Sequence, residues 1–330
     1  MRNPEIFQAP TWARGPHHQT ILARFLRPNP PIRSVRERIE TPDDDFVDVD
    51  WSTLDVSDSP IVIVLHGLEG SSHSKYVRNV CRELNTLGVR TLAMNFRGCS
   101  GEPNRALAYY HSGDTRDLAL MACILRERHP RASIGAMGFS LGGNVLLKAM
   151  GERIDGGQGL FDAAAVMSVP YDLAASSALL QKTHMGRFYT QYFMRSLRRK
   201  VAWKRNQLAE VLNMADIAQV RSIEDLDEVV TAPLNGFKSA GDYYAQCSST
   251  TFLAEVRVPT LMLHSEDDPF LPSDAIPHRE VGRNPALRLL LTPSGGHVGF
   301  VGGTPWAPEF WGEMVAARFL AQELKSCQHA

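Results

Sequence analysis

Six short apolar runs limit what this chain can fold into more than any other feature. They read "IVIVLHG" from Ile61, "RTLAMNF" from Arg90, "SIGAMGF" from Ser133, "AAAVMSV" from Ala163, "PTLMLHS" from Pro259 and "LRLLLTP" from Leu287. A strand with one wet face alternates apolar and polar side chains, whereas an unbroken run marks a strand covered on both faces. Helix-like stretches stand between them, near residues 76–87 and 115–128 and from Leu141 onward, and another closes the chain at 307–323. Buried strands separated by helices predict a mostly parallel central sheet with flanking helices, an α/β fold. Ahead of the first run, alternating segments flank Thr41-Pro42-Asp43-Asp44-Asp45, which predicts two antiparallel strands joined by a polar turn. The acidic triplet is read as turn and not as a calcium loop, because the spaced oxygen ligands and distal Glu of such a loop are missing.

The alternation stops between residues 171 and 249, where the chain is helix-rich and strongly charged. That stretch predicts a helical cap insertion, 171–249, on a core built from 1–170 and 250–330. Met185, Phe188, Tyr189, Tyr192, Phe193 and Met194 form its apolar group, read as packing the cap onto the sheet, with an acyl-pocket lining as the alternative. Beside them Arg195, Arg198, Arg199, Lys200, Lys204 and Arg205 make a basic stripe. A solvated helix face accounts for it, and weak peripheral contact with anionic lipid headgroups stays open.

Composition narrows the partners. Lys and Arg total 35 against 36 Asp and Glu, so no broad field draws nucleic acid or an anionic surface. No nucleic-acid motif is present, and nucleic acid is not expected as a partner. The five cysteines are scattered without a C-x-x-C pair, which suggests neither a disulfide framework nor a zinc site. Prolines and charges interrupt the N-terminal segment where a signal peptide needs an apolar core, and no run reaches the roughly 18 apolar residues of a spanning helix. The expectation is a cytoplasmic protein without cofactor or metal.

In open parallel sheets, reactive groups gather at the carboxyl ends of strands, where loops vary on a rigid support. Gly138-Phe139-Ser140-Leu141-Gly142 fits the G-x-S-x-G nucleophile elbow, a tight strand-to-helix turn that projects its serine at the sheet's mouth. A serine hydroxyl needs an imidazole to take its proton and a carboxylate to fix the ring's tautomer. Asp268 follows the run "PTLMLHS", and His297 follows "LRLLLTP", giving the chain order Ser, Asp, His. Asp267 remains the alternative acid. The glycine-lined loop His66-Gly67-Leu68-Glu69-Gly70 is placed to offer an amide to a developing oxyanion, so the expected donors are the N–H groups of Leu68 and Leu141. His66 is read as a scaffold histidine bonding that loop. Asn95 and Arg97 are candidates for the pocket wall. Cys99, with no histidine assigned to it, is read as a packed thiol, and Asp114 and Asp117 as acids favoured at a helix N-terminus.

Several strings together are more specific than the elbow. "HGLEGSS" from His66, "NFRGCSGEPN" from Asn95, "YHSGDTRDL" from Tyr110, "GFSLGGN" from Gly138 and "DDPFLP" from Asp267 resemble the YheT-like α/β-hydrolases of bacteria, whose eukaryotic relatives include membrane-associated lipid hydrolases. "RGPHHQTIL" near the start and "TAPLNGFKSAGDYY" at the end of the insertion extend the likeness over nearly the whole chain. A histidine in "HHQT" where a leucine is expected bears on packing near the N-terminus and not on catalysis. The resemblance implies an α/β-hydrolase fold and a serine hydrolase with Ser140, Asp268 and His297 as its triad. The expected reaction is cleavage of small-molecule or lipid-like carboxylic esters, short-chain or monoacylglycerol-like, through an acyl-serine. The rivals are a thioesterase or amidase with the same triad, and a non-catalytic hydrolase-fold binding protein.

Overall fold

The structure, a computed structural model, describes residues 7–52 and 58–327. β1 (Ser34–Glu40) and β2 (Phe46–Ser52) form the expected antiparallel hairpin, with Ser34 opposite Ser52. The apolar runs become β3 (Ile61–Leu65), β4 (Arg90–Met94), β5 (Ile134–Phe139), β6 (Ala163–Met167), β7 (Thr260–Ser265) and β8 (Leu287–Thr292). They lie parallel in one eight-stranded sheet of order β1-β2-β4-β3-β5-β6-β7-β8, with β2 antiparallel to β4.

Every residue of β3 to β7 is buried, as unbroken apolar runs require. Side chains alternate between the two faces, so each strand feeds two cores. On one face α2 (Lys75–Thr86) packs beside the C-terminal helix through Val77, Val80, Leu84, Leu320 and Leu324. On the other, α3 (Arg116–Arg128) and α4 (Leu141–Gly151) bury Leu118, Met121, Leu125, Val145 and Leu146. Each such side chain contributes about 1.5–3 kcal/mol on burial.

Helices fill the connection from β6 to β7, chiefly α5 (Leu173–Lys182), α6 (His184–Trp203) and α7 (Ala240–Cys247). Met194, Val201, Leu208, Val220, Leu226 and Val230 give this segment a small core of its own. The basic stripe does not lie wholly on the surface. Lys200 and Lys204 are 5% and 3% exposed and point inward, while Arg195, Arg198, Arg199 and Arg205 stay on the surface. Lys200 Nζ donates to Glu69 Oε1 at 2.7 Å, and Lys204 Nζ to Asn104 Oδ1 at 2.6 Å. Both lysines reach polar groups on loops at the sheet's carboxyl edge, which no periodicity within α6 encodes.

Two further expectations change. The last helix, α8 (Trp311–Cys327), starts later than residue 307, because Ala307–Phe310 pairs as a strand with Val301–Thr304. The pair closes through the two-residue turn Pro305-Trp306 and takes up the residues that the sequence pattern assigns to the first turn of the helix. Arg97 is no pocket residue. It is buried among Asp117, Asp43 and Asp45, with guanidinium-to-carboxylate distances of 2.7 to 3.2 Å. That pairing explains the acidic turn and holds Asp43 well below the usual carboxylate range. Asn95 is also buried elsewhere, donating to the Asp48 carbonyl and accepting from the Ser72 amide.

Candidate active site

Ser140 sits between β5 and α4 at φ 50° and ψ −121°, a conformation costing a non-glycine residue on the order of 1–3 kcal/mol. Glycines allow it. A Cβ on Gly142 would lie 2.5 Å from the His66 carbonyl oxygen, and one on Gly138 would lie 2.6 Å from that of Gly142. The tight elbow therefore needs both, and the Ser140 N–H anchors it by donating to the Met167 carbonyl at 2.9 Å.

The loop after β8 brings His297 to this serine. Its Nε2 lies 2.9 Å from Ser140 Oγ, and its Nδ1 lies 2.9 Å from Asp268 Oδ2 and 3.1 Å from Oδ1. With the proton on Nδ1 donated to the carboxylate, Nε2 accepts the Ser140 hydroxyl. Asp268 is held in turn by the Phe270 N–H at 2.8 Å, and the Phe270 ring stacks on the imidazole with centroids 4.0 Å apart. The Asp268 side chain is 1% exposed, which strengthens its pull on the ring. Asp267 does a different job. Its Oδ1 accepts the Gly296 N–H at 2.8 Å, shaping the loop, and burial raises its carboxyl above the usual range. Buried His264, lowered to about 4 by desolvation, stays neutral 3.9 Å behind Asp268.

Residues from the far end of the sequence hold the histidine loop. The His297 N–H donates to Thr20 Oγ1 on α1 (Pro16–Leu26) at 2.9 Å, and Gln19 on the same helix brackets Val301 through both its backbone groups. Arg27 donates to the Val298 carbonyl and pairs with buried Glu313 at 2.6 Å. Ser168, just past β6, accepts the Val298 N–H at 2.9 Å. The string "RGPHHQTIL" was the signal for Gln19 and Thr20, whose task only the folded chain discloses. His17 contacts the Tyr189 hydroxyl, whereas His18 is exposed and bonds the Arg14 carbonyl.

In the loop after β3 the amides of Gly67, Glu69 and Gly70 are taken by the Tyr76 hydroxyl, the Tyr110 hydroxyl and the Gly67 carbonyl. The Leu68 amide takes part in none of these bonds. His66 is fully buried, with Nε2 accepting the Phe96 N–H and Nδ1 donating to the Gly67 carbonyl, so it is scaffold. Cys99 is half-buried with the Lys200 ammonium 2.9 Å away, and burial pushes its thiol up to about 11.

A cavity of about 100 Å³ opens on Ser140 and His297, and Leu68 and Leu141 also line it. Of the apolar group in 171–249, Phe193 lines this cavity; Met194 packs inside the helical segment, Tyr189 packs on Phe270, and Phe188 and Tyr192 are exposed. Among the described residues, no three His, Cys, Asp or Glu side chains converge as metal ligands, and no helix is long and apolar enough to cross a membrane.

Residues 57–286 match the family described as Serine aminopeptidase, S33. The chain is 38% identical to the Escherichia coli (strain K12) protein named "Putative esterase YheT", over 94% of this chain and 92% of that one. It is 31% identical to Phospholipase ABHD3 of Mus musculus, over 91% of this chain and 74% of the phospholipase. An esterase of Pyrococcus furiosus shares the fold at 18% identity, with a TM-score of 0.56 over 98% of this chain and 99% of its own. A serine elbow, a histidine loop and a helical connection of this arrangement, on a sequence this close to YheT, place the chain in the YheT-like family of α/β-hydrolases.

Proposed function

We propose that this chain is a serine hydrolase that cleaves carboxylic esters through an acyl-serine intermediate, with Ser140 as nucleophile, His297 as base and Asp268 as orienting acid. One observation carries the reading: a single imidazole bridges the Ser140 hydroxyl and the Asp268 carboxylate at 2.9 Å on each side. Ser140 Oγ adds to the ester carbonyl as His297 Nε2 takes its proton, and Asp268 stabilises the imidazolium. The carbonyl electrons move onto oxygen, where the amides of Leu68 and Leu141 donate. One such donor is worth about two to three powers of ten in rate. Collapse breaks the bond to the alcohol oxygen, which leaves with the proton from His297. Water, deprotonated by the same imidazole, then releases the acid and restores Ser140.

Residues 171–249 act as a cap over a core of 1–170 and 250–330, with α5, α6 and α7 roofing the cavity. The names carried by YheT and ABHD3 favour an ester or phospholipid bond over an amide. The cysteines, all free thiols, suit the cytoplasm. The test is burst release of alcohol from an activated ester, with fluorophosphonate labelling of Ser140. Ser140→Ala should abolish both, and parental hydrolysis by that variant would refute the assignment. Matched thioester and amide substrates should react more slowly than the oxyester.

A further inference from the structure

The cavity beside Ser140 has apolar walls, including Leu173, Leu180, Ile223 and Phe270, yet it also takes in a polar cluster that ester cleavage does not use. Ser176, on α5, is 7% exposed, and its buried Oγ has no hydrogen-bond partner among the described residues. Asp227 stands at the start of a π-helical turn, Asp227–Thr231, and also lines the cavity. Such turns shift side chains off the α-helical register and recur at functional sites. The Tyr244 hydroxyl donates to Asp227 Oδ2 at 2.8 Å, and burial lifts this carboxyl to about 6. Among the described residues no Lys or Arg lines the cavity, so none of them neutralises the carboxylate there.

A buried hydroxyl without a partner and a carboxylate without a counter-charge, lining one cavity among the described residues, are costly unless something small and polar completes them. The complement is a polar group of the alcohol type, whose hydroxyl donates to Asp227 or engages the Ser176 hydroxyl. An alkyl chain would strip water from both groups and return nothing.

We propose that Ser176, Asp227 and Tyr244 form a subsite for a free hydroxyl on the substrate, so that the ester cleaved at Ser140 carries an alcohol group besides the one it esterifies. This rests on the reading of Ser140 as nucleophile. Sites built to bond a substrate hydroxyl discriminate strongly against the analogue that lacks it, because their buried polar groups are then left unpaired.

The test compares kcat/KM within two matched pairs: 2,3-dihydroxypropyl butanoate against propyl butanoate, and methyl 6-hydroxyhexanoate against methyl hexanoate. The hydroxylated member should win in at least one pair by about tenfold or more. Ser176→Ala and Asp227→Asn should each bring that ratio towards one. Ser176→Ala removes no hydrogen bond within the protein, so it tests the subsite even where Asp227→Asn fails to fold. Equal rates within both parental pairs, or a ratio that survives Ser176→Ala, overturn the proposal. Preference for the matching ammonium-bearing ester over the hydroxylated one also overturns it, by assigning the site to a cation. Hydrolysis of the plain esters that persists in Ser140→Ala overturns the underlying reading of Ser140 instead, and a parent inert towards every ester overturns both.

Discussion

Lys200→Met should be among the most damaging single changes in the helical segment, although it adds apolar surface. The lysine and Glu69 side chains are 7% and 3% exposed, and their charged atoms are 2.7 Å apart. At an effective dielectric near 20 their attraction is about 6 kcal/mol, most of it offset by the cost of desolvating both ions. Methionine keeps that cost for Glu69 and removes the compensation. Glu69 Oε1 would retain only the Tyr110 hydroxyl, and Oε2 already has no partner. Leaving one ion of a buried pair costs about 3–5 kcal/mol, whereas removing both is often close to neutral. Urea unfolding followed by tryptophan fluorescence should show a midpoint roughly 1 M lower for Lys200→Met at unchanged slope, taking about 3 kcal/mol per molar. The double variant Lys200→Met/Glu69→Gln should regain most of that loss. Since Glu69 adjoins Leu68 in the loop facing Ser140, kcat should fall in the single variant as well. A single variant within about 1 kcal/mol of the parent, or a double variant no better than the single, would refute the account of α6 pinned by an ion pair.

The two neighbouring acids should part company. Asp268→Asn removes the acceptor at His297 Nδ1, strands the ring in the wrong tautomer and should lower kcat by roughly four powers of ten. Asp267→Asn weakens bonds to the Gly295 and Gly296 amides and to Ser265 that shape the loop and leaves the acceptor at His297 Nδ1 in place, so it should cost far less; steady-state rates giving the reverse order would exchange their roles. Acid should destabilise the fold well above the carboxylate range. His66 and His264 are fully buried and lowered to about 4 by desolvation, so from about pH 6.5 downward the unfolded chain binds protons that the folded one refuses. Their contribution is complete above pH 6.5 and should shrink by about 4 kcal/mol in sum between pH 7 and 5. Asp227, raised to about 6, and Asp117, Asp267 and Glu313, also raised by burial, work in the opposite sense, while His111, lowered to about 4, adds to the loss. A urea midpoint that stays flat or rises from pH 7 to 5 would contradict it.

The sequence by itself determined the strands and the elbow, because each is a local demand. An unbroken apolar run needs cover on both faces, and β3 to β7 find it. A serine held at positive φ needs glycines beside it, and Gly138 and Gly142 can be read directly from the chain. The choice between Asp267 and Asp268 was not local. It turns on which carboxylate faces a ring 29 positions away, and the Phe270 amide and the loop geometry settle that. Lys200 and Lys204 read as surface charge because nothing within α6 announces the polar groups awaiting them across the cleft. Thr20 and Gln19 act on a loop nearly the whole chain away, and Ser176 and Asp227 meet the cavity only once α5 and the π turn are packed over the sheet. Periodicity reports whether a side chain prefers water, a property of each residue and its neighbours; which partner a buried polar atom meets is fixed by chain closure over long separations, and tertiary structure alone decides it.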